Sequence, residues 1–282
     1  MKYIDLHVHS NYSDGTCSPT KLVALAKKAQ LSAIALTDHD TTDGLAKIFE
    51  AAGETDIEII PGIEFSTEYL GIDIHILGLD MDWASSNFQT QLMLFKDSRK
   101  MRNEKMIKKL ADTGIDISWE QMQKRFGKAV WTRAHFALYL LEHDYVKDIA
   151  EVFTKYIGDH SPYFVPREKV TPVQAVHLIR QYGGIPILAH PLAYGLSKEQ
   201  LQILLEELKK AGLIGLEAIY STHSKTDEDY LRQLARINQL GISGGSDFHG
   251  NNKPDIQLGI GKGNLRIPYD ILKQLREIKN KE

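Results

Sequence analysis

Residues 4–10 read Ile4-Asp5-Leu6-His7-Val8-His9-Ser10, and Asp14 follows shortly after. Apolar and polar residues alternate there with a period of two, the pattern of a half-buried β-strand. On such a strand His7 and His9 point to one face together, while Ile4, Leu6 and Val8 point to the other. Two imidazoles then converge on one point, and a neutral imidazole offers a lone pair to a divalent ion.

Outward from this strand, helices and strands take turns. Ser18-Pro19 reads as a helix N-cap with proline at the first helical position, followed by the apolar stripe Leu22, Val23, Ala26 and Ala29. A buried strand over 33–36 ends in Thr37-Asp38-His39-Asp40, and a short helix over 45–52 leads to a strand over 57–64 that carries Glu64. The strand over 72–78 puts His75 on its polar face. From about residue 88 the apolar residues recur only at three and four, giving helices over 93–110, 119–126, 133–141 and 149–157. Alternation returns after Ser161-Pro162 and Val165-Pro166, with strands over 185–191, 213–219 and 242–250 separated by helices over 172–182, 201–211 and 230–240, and a last helix over 269–278.

Seven strands alternating with helices predict an α/β fold, a closed or nearly closed parallel barrel of the distorted (β/α)7 TIM-like kind, with an all-helical insertion. The expected organisation is barrel over 1–95, insertion over 96–168 serving as lid and substrate domain, and barrel again over 169–282. In such barrels the chemistry sits at the carboxyl ends of the strands.

Composition limits the alternatives. Hydrophobic residues make up 43% and charged residues 25%, which suits a folded globular chain rather than a disordered one. With no apolar run of about 18 residues and no basic-then-apolar leader, the expectation is a cytoplasmic protein without membrane attachment. Cys17 is the single cysteine, so an internal disulfide and a cysteine zinc cluster are excluded, and any metal must be held by His, Asp and Glu. Cys17 itself reads as a small packed residue. Charge is uneven: residues 96–169 carry 15 Lys and Arg against 11 Asp and Glu, the remainder 19 against 26. A basic middle facing an acidic, cation-holding remainder would suit an anionic substrate; an ordinary solvated helical surface gives the same count.

Of 11 histidines, six fall at strand ends: His7, His9, His39, His75, His190 and His249. Scattered histidines would not select one end of every strand. With Asp14, Glu64 and Asp247 they supply more nitrogen and oxygen ligands than one ion of four to six coordination can use, so two or three divalent ions are expected. Such ligands accept Mn, Fe or Zn.

The ordered runs His7-Val8-His9-Ser10-Asn11-Tyr12-Ser13-Asp14-Gly15-Thr16, Leu36-Thr37-Asp38-His39-Asp40, Pro61-Gly62-Ile63-Glu64, Ala189-His190-Pro191 and Gly245-Ser246-Asp247-Phe248-His249 resemble the PHP (polymerase and histidinol phosphatase) superfamily. Within it the chain resembles the stand-alone metal-dependent phosphoesterases that act on nucleotides or on the 5′ ends of RNA. The resemblance implies three metal positions: His7, His9, Glu64 and Asp247 at the first; Glu64, His75 and His190 at the second; Asp14, His39 and His249 at the third. Asp5, Asp38 and Asp40 are candidates to receive the other N–H of metal-bound imidazoles, with a turn cap as the alternative for Asp40.

The insertion carries Trp131-Thr132-Arg133-Ala134-His135, similar to the family's phosphate-contacting segment, where Gly-Arg-Pro-His is common; Thr132 and Ala134 depart from it. The resemblance assigns Arg133 and His135 to substrate binding. Without it they read as a solvated arginine and a histidine packed in the lid. His223, just past a strand end, is the other substrate candidate, and Lys225 could assist. Arg99 and Arg102 would read a second phosphate or an RNA backbone, or else lie solvated. His143, His160 and His177 read as surface or packing residues. The implied reaction is hydrolysis of a phosphomonoester or terminal phosphodiester of a small phosphorylated substrate, a 3′,5′-bisphosphate nucleotide or short oligoribonucleotide, with no obligate protein partner. The leaving oxygen would be protonated by His135, His223 or Asp38, among which the sequence does not choose. Two rivals stand beside this reading: an amidohydrolase-type C–N hydrolase, and a catalytically silent metal-binding module.

Overall fold

The computed structural model describes residues 2–53, 55–158, 161–167 and 170–281. Seven strands, β1 (Tyr3–Val8), β2 (Leu31–Leu36), β3 (Glu58–Tyr69), β4 (Ile72–Leu79), β5 (Ile185–Leu188), β6 (Gly215–Tyr220) and β7 (Gly241–Gly245), form one sheet in sequence order. The ends of this order meet at the mouth, where Val8 bridges to Phe248 and the Asp247 N–H donates to His7 O at 2.9 Å. Gly245 permits the approach: a Cβ there would stand 2.2 Å from the His7 Cβ. The result is a nearly closed barrel.

One strand runs against the expected direction. β4 is antiparallel to both β3 and β5, whereas the other neighbouring pairs are parallel. The reason is the connection. Leu70 and Gly71 alone join β3 to β4, both with positive φ (53° and 80°), the geometry of a two-residue hairpin turn. Two residues cannot hold the crossover that a parallel pair requires. His75 therefore comes from the first half of β4, opposite Ser66, and not from a carboxyl end. Glu64 lies in mid-strand, because β3 continues past the mouth as one arm of this hairpin.

β1 also departs from simple alternation. Its pairing with β2 slips between Asp5 and Val8, as at a bulge. Ile4 and Leu6 consequently join Ala33, Ile60, Leu77 and Ile187 in the barrel interior, while Val8 packs outside with Leu22 and Ile48. The three do not share a face opposite the histidines.

The helices cover the sheet. α1 (Pro19–Lys28) and α2 (Leu45–Ala52) lie over β1 and β2. α3 (Ser86–Ala111) begins against the β3–β4 arm and ends in a separate apolar cluster with α4 (Trp119–Phe126), α5 (Arg133–Glu142) and α6 (Ile149–Val152), which continues as a π turn over Phe153–Ile157. The 95/96 boundary thus falls within a continuous helix, and residues 168 and 169 lie outside the described residues. α7 (Pro172–Gln181), α8 (Lys198–Lys210) and α9 (Lys225–Ile237) cover the other side. α10 (Asp270–Lys281) closes the floor, with Leu275 against Ile185 and Ile214 and Arg276 tied to Asp80 and Glu58.

A buried ionic knot fastens the insertion to the barrel. Asp40, fully buried, accepts from Arg99 Nε at 2.8 Å and Arg167 Nη1 at 2.7 Å. Arg167 also donates to Phe95 O at 2.8 Å and to Ser98 Oγ at 3.2 Å. Asp40 accepts the Ser66 N–H as well, so it is neither a turn cap nor an imidazole partner.

Candidate metal centre

The barrel mouth brings all nine sequence-predicted ligands together. His7, on β1, and His9, just past the end of that strand, are fully buried at the base of the mouth. Asp14, His39, Glu64, His75, His190, Asp247 and His249 line a cleft of about 420 Å³ above them. Glu64 is the hub: Oε1 lies 2.9 Å from His75 Nδ1 and 3.2 Å from His190 Nε2, and Oε2 lies 3.3 Å from His7 Nε2, 3.1 Å from His9 Nε2 and 3.2 Å from His39 Nδ1. Asp247 Oδ1 is 3.5 Å from His7, 3.4 Å from His9 and 3.3 Å from His249. Burial alone would raise Glu64, but the facing His39, His7 and His75 outweigh it and hold the carboxyl well below its ordinary value.

These separations suit metal binding. Donors bound to one ion at about 2.0–2.2 Å stand roughly 3.0–3.6 Å apart, depending on geometry. The buried His7 Nε2 and His9 Nε2 have no hydrogen-bond partner, which would be costly unless an ion takes their lone pairs. Among the described residues, four groups of ligand atoms lie within 4.8 Å of one another: His9, Asp14, His39 and His249; His7, Glu64 and His190; His7, His9 and Asp247; and His39, Glu64 and His75. They overlap the three implied sets without reproducing them, since His39 reaches Glu64 as well as Asp14.

Several contributors had no assigned role in the sequence. Glu217, on β6 and fully buried, accepts from His7 Nδ1 at 3.1 Å and from the His190 N–H at 2.9 Å. A carboxylate on Nδ1 fixes the tautomer that leaves Nε2 free for an ion. The signal available was an acid on an apolar strand, at the mouth end like the histidines. Tyr220 donates to Asp247 Oδ2 at 2.6 Å, and Lys253 pairs with the same oxygen.

The three candidate proton donors do not line this cleft. Asp38 is buried and accepts from Ser10 N at 2.8 Å, Ser10 Oγ at 2.6 Å and Ser13 Oγ at 2.7 Å, so its oxygens pin the loop after β1. Asp5 likewise ties β1 to Ser246 and Gly259. His223 Nδ1 lies 3.0 Å from Ala218 O. His135 is buried, its ring edge-on to Phe126, and its Nδ1 accepts the Thr132 N–H at 3.0 Å as the second half of a capping box. His143 stacks on Tyr139, and His160 lies outside the described residues.

Burial holds the His135 ring to a pKa of about 4, against 6.5 ordinarily. The unfolded chain therefore takes up this proton first as pH falls. The histidine's contribution is complete above pH 6.5 and is lost on the way to 4; at about pH 5 the loss is about 2 kcal/mol. Urea unfolding at neutral pH and at pH 5 should show this loss, and His135→Gln, which preserves the capping box, should remove that share of it.

The same cleft is also lined by Arg99, Arg102 and Arg133. Arg133 Nη2 pairs with Asp73 Oδ2 at 3.1 Å, and its guanidinium lies over Phe164. Arg102 is 3% exposed, and its Nη1 has no hydrogen-bond partner. Burial, then the adjacent Arg99 charge, pulls Arg102 well below arginine's ordinary value. Among the described residues, Asp40 faces Arg99 and Arg167, and Asp73 faces Arg133 and Arg102.

The PHP domain family model matches residues 5–164. A 5′-3′ exoribonuclease of Haemophilus influenzae is 36% identical over 248 residues, covering 88% of this chain and 90% of that protein. A 3′,5′-nucleoside bisphosphate phosphatase of Chromobacterium violaceum is 33% identical over 250 residues, 88% of each. The solved structure of an amidohydrolase from Chromobacterium violaceum, with bound SO4 and no metal, superposes with a TM-score of 0.86 at 31% identity, covering 98% of this chain and 96% of that one.

Proposed function

The chain belongs to the PHP domain family, and on that premise we propose how its mouth works as a metal-dependent phosphoesterase acting on nucleotides or RNA. The nine mouth residues would hold two or three divalent ions, and manganese, iron or zinc would all suit their nitrogen and oxygen atoms. Bound there, such ions activate water at neutral pH and clamp phosphoryl oxygens. The protein's own part is positional. Glu217 fixes the His7 ring, and Asp38 holds the Ser10–Ser13 loop that presents Asp14. Residues 96–168 serve as the substrate lobe, and Arg99, Arg102 and Arg133 grip a phosphate away from the scissile one. Lys253 and Tyr220, which line the cleft, replace His135, His223 and Asp38 as the candidates to protonate the leaving oxygen. A cytoplasmic site of action fits such substrates.

The observation that carries this reading is one cleft lined both by the candidate metal ligands and by Arg99, Arg102 and Arg133, with the buried Arg102 Nη1 lacking a hydrogen-bond partner. A substrate with two separated phosphates engages both sets of residues, which favours nucleoside 3′,5′-bisphosphates and 5′-phosphorylated short RNA. C–N hydrolysis gives these arginines no task. The test is a screen for phosphate and ammonia release after manganese loading. Bisphosphates and 5′-phosphorylated oligonucleotides should outrun nucleoside monophosphates; ammonia release, or no phosphate from any of them, would refute the proposal.

A further inference from the structure

The insertion reaches the metal centre itself. Thr132 Oγ1 lies 2.7 Å from Asp14 Oδ2 and accepts the Ala134 N–H at 3.1 Å as the N-cap of α5. A hydroxyl has one proton, and with a carboxylate at that distance the proton points to Asp14. Both residues are buried, at 6% and 4% exposure. Asp14 is the one carboxylate in the group it forms with His9, His39 and His249, and its other oxygen, Oδ1, lies 3.1 Å from His249 Nε2. Oδ2 is thus held by the insertion while lying 3.6 Å from His39 Nε2, and Oδ1 faces His249. The next residue, Arg133, lines the cleft.

We infer that Thr132 is a positioning residue that couples the docking of the insertion to ion binding by the His9, Asp14, His39 and His249 group. This rests on the metal-dependent reading above. The hydroxyl sets the rotation of the Asp14 carboxylate, so an ion there is retained only while the insertion is docked. By reciprocity the ion steadies the start of α5 and brings Arg133 to the substrate.

Manganese-loaded native protein, Thr132→Val and Thr132→Ser would be challenged with graded chelator and their ion content measured by mass spectrometry. Thr132→Val should lose one ion equivalent at roughly tenfold lower chelator, the scale on which partners of metal ligands act. Thr132→Ser, which restores the hydroxyl, should match the native protein. In case Thr132→Val folds poorly, hydrogen exchange of native Ala134, His135 and Phe136 is read with and without manganese, and should slow at least severalfold with the ion. Equal retention by Thr132→Val, or unchanged exchange, would overturn the coupling while leaving the metal reading intact. A native protein that takes up no manganese overturns both.

Discussion

A Glu64→Ala enzyme, loaded with manganese like the native one, should release phosphate at about a thousandth of the native rate or less, because the lost carboxylate is the one that would help hold the ions supplying the activated water. Its two oxygens stand within 3.3 Å of nitrogen atoms from five histidines, His7 and His75 on strands β1 and β4, and His9, His39 and His190 just past the ends of β1, β2 and β5. No other side chain at the mouth reaches so many. Ion content should fall by at least one equivalent. The fold should survive, since the interior beneath Glu64 is packed by Ile60, Leu77 and Ile187 without its help. Glu64→Gln keeps the shape and one acceptor and should fall between the two. Circular dichroism, metal analysis and turnover measured together decide the matter, and a variant within tenfold of native activity would remove Glu64 from its central place.

Arg102→Met should separate activity from stability. The substitution keeps much of the buried stem's apolar bulk but removes a guanidinium that feels the like charges of Arg99, Arg167 and Arg133. KM for a nucleoside bisphosphate should rise roughly 10- to 100-fold, the worth of one charge-assisted hydrogen bond, with a smaller change for a monophosphate. Thermal stability should hold or rise, since a repulsion disappears. Arg102→Lys should not rescue binding, because an ammonium cannot reproduce the planar fork. A lower melting temperature with unchanged KM would make Arg102 structural instead.

Much of the mouth was legible in the sequence because metal ligands must be particular residue types at particular points of a periodic pattern. His7, His9, His39 and His190 could be placed at strand ends before any geometry was known. The direction of β4 was less accessible, although the absence of a helical stretch between Glu64 and Ile72 was its signal. The β1 bulge left no mark, since Ile4-Asp5-Leu6-His7-Val8 alternates equally well with or without it. Partners from distant segments were hidden for a more general reason. Asp40 with Arg167, His7 with Glu217, and Asp14 with Thr132 are each set by how the barrel closes, and the spacing along the chain says nothing of it. His135 shows the converse: beside a conspicuous arginine it looked chemical, yet the physics of a helix start and an apolar wall claimed it.

The knot at Asp40 has a consequence for how such chains diversify. Arg167 touches Phe95 and Ser98, so the polypeptide departs from the barrel and comes back at nearly the same point. A lobe whose two ends meet can be shortened, enlarged or exchanged for another without rerouting a strand. The toll falls on one buried aspartate, which any graft must furnish with fresh cations.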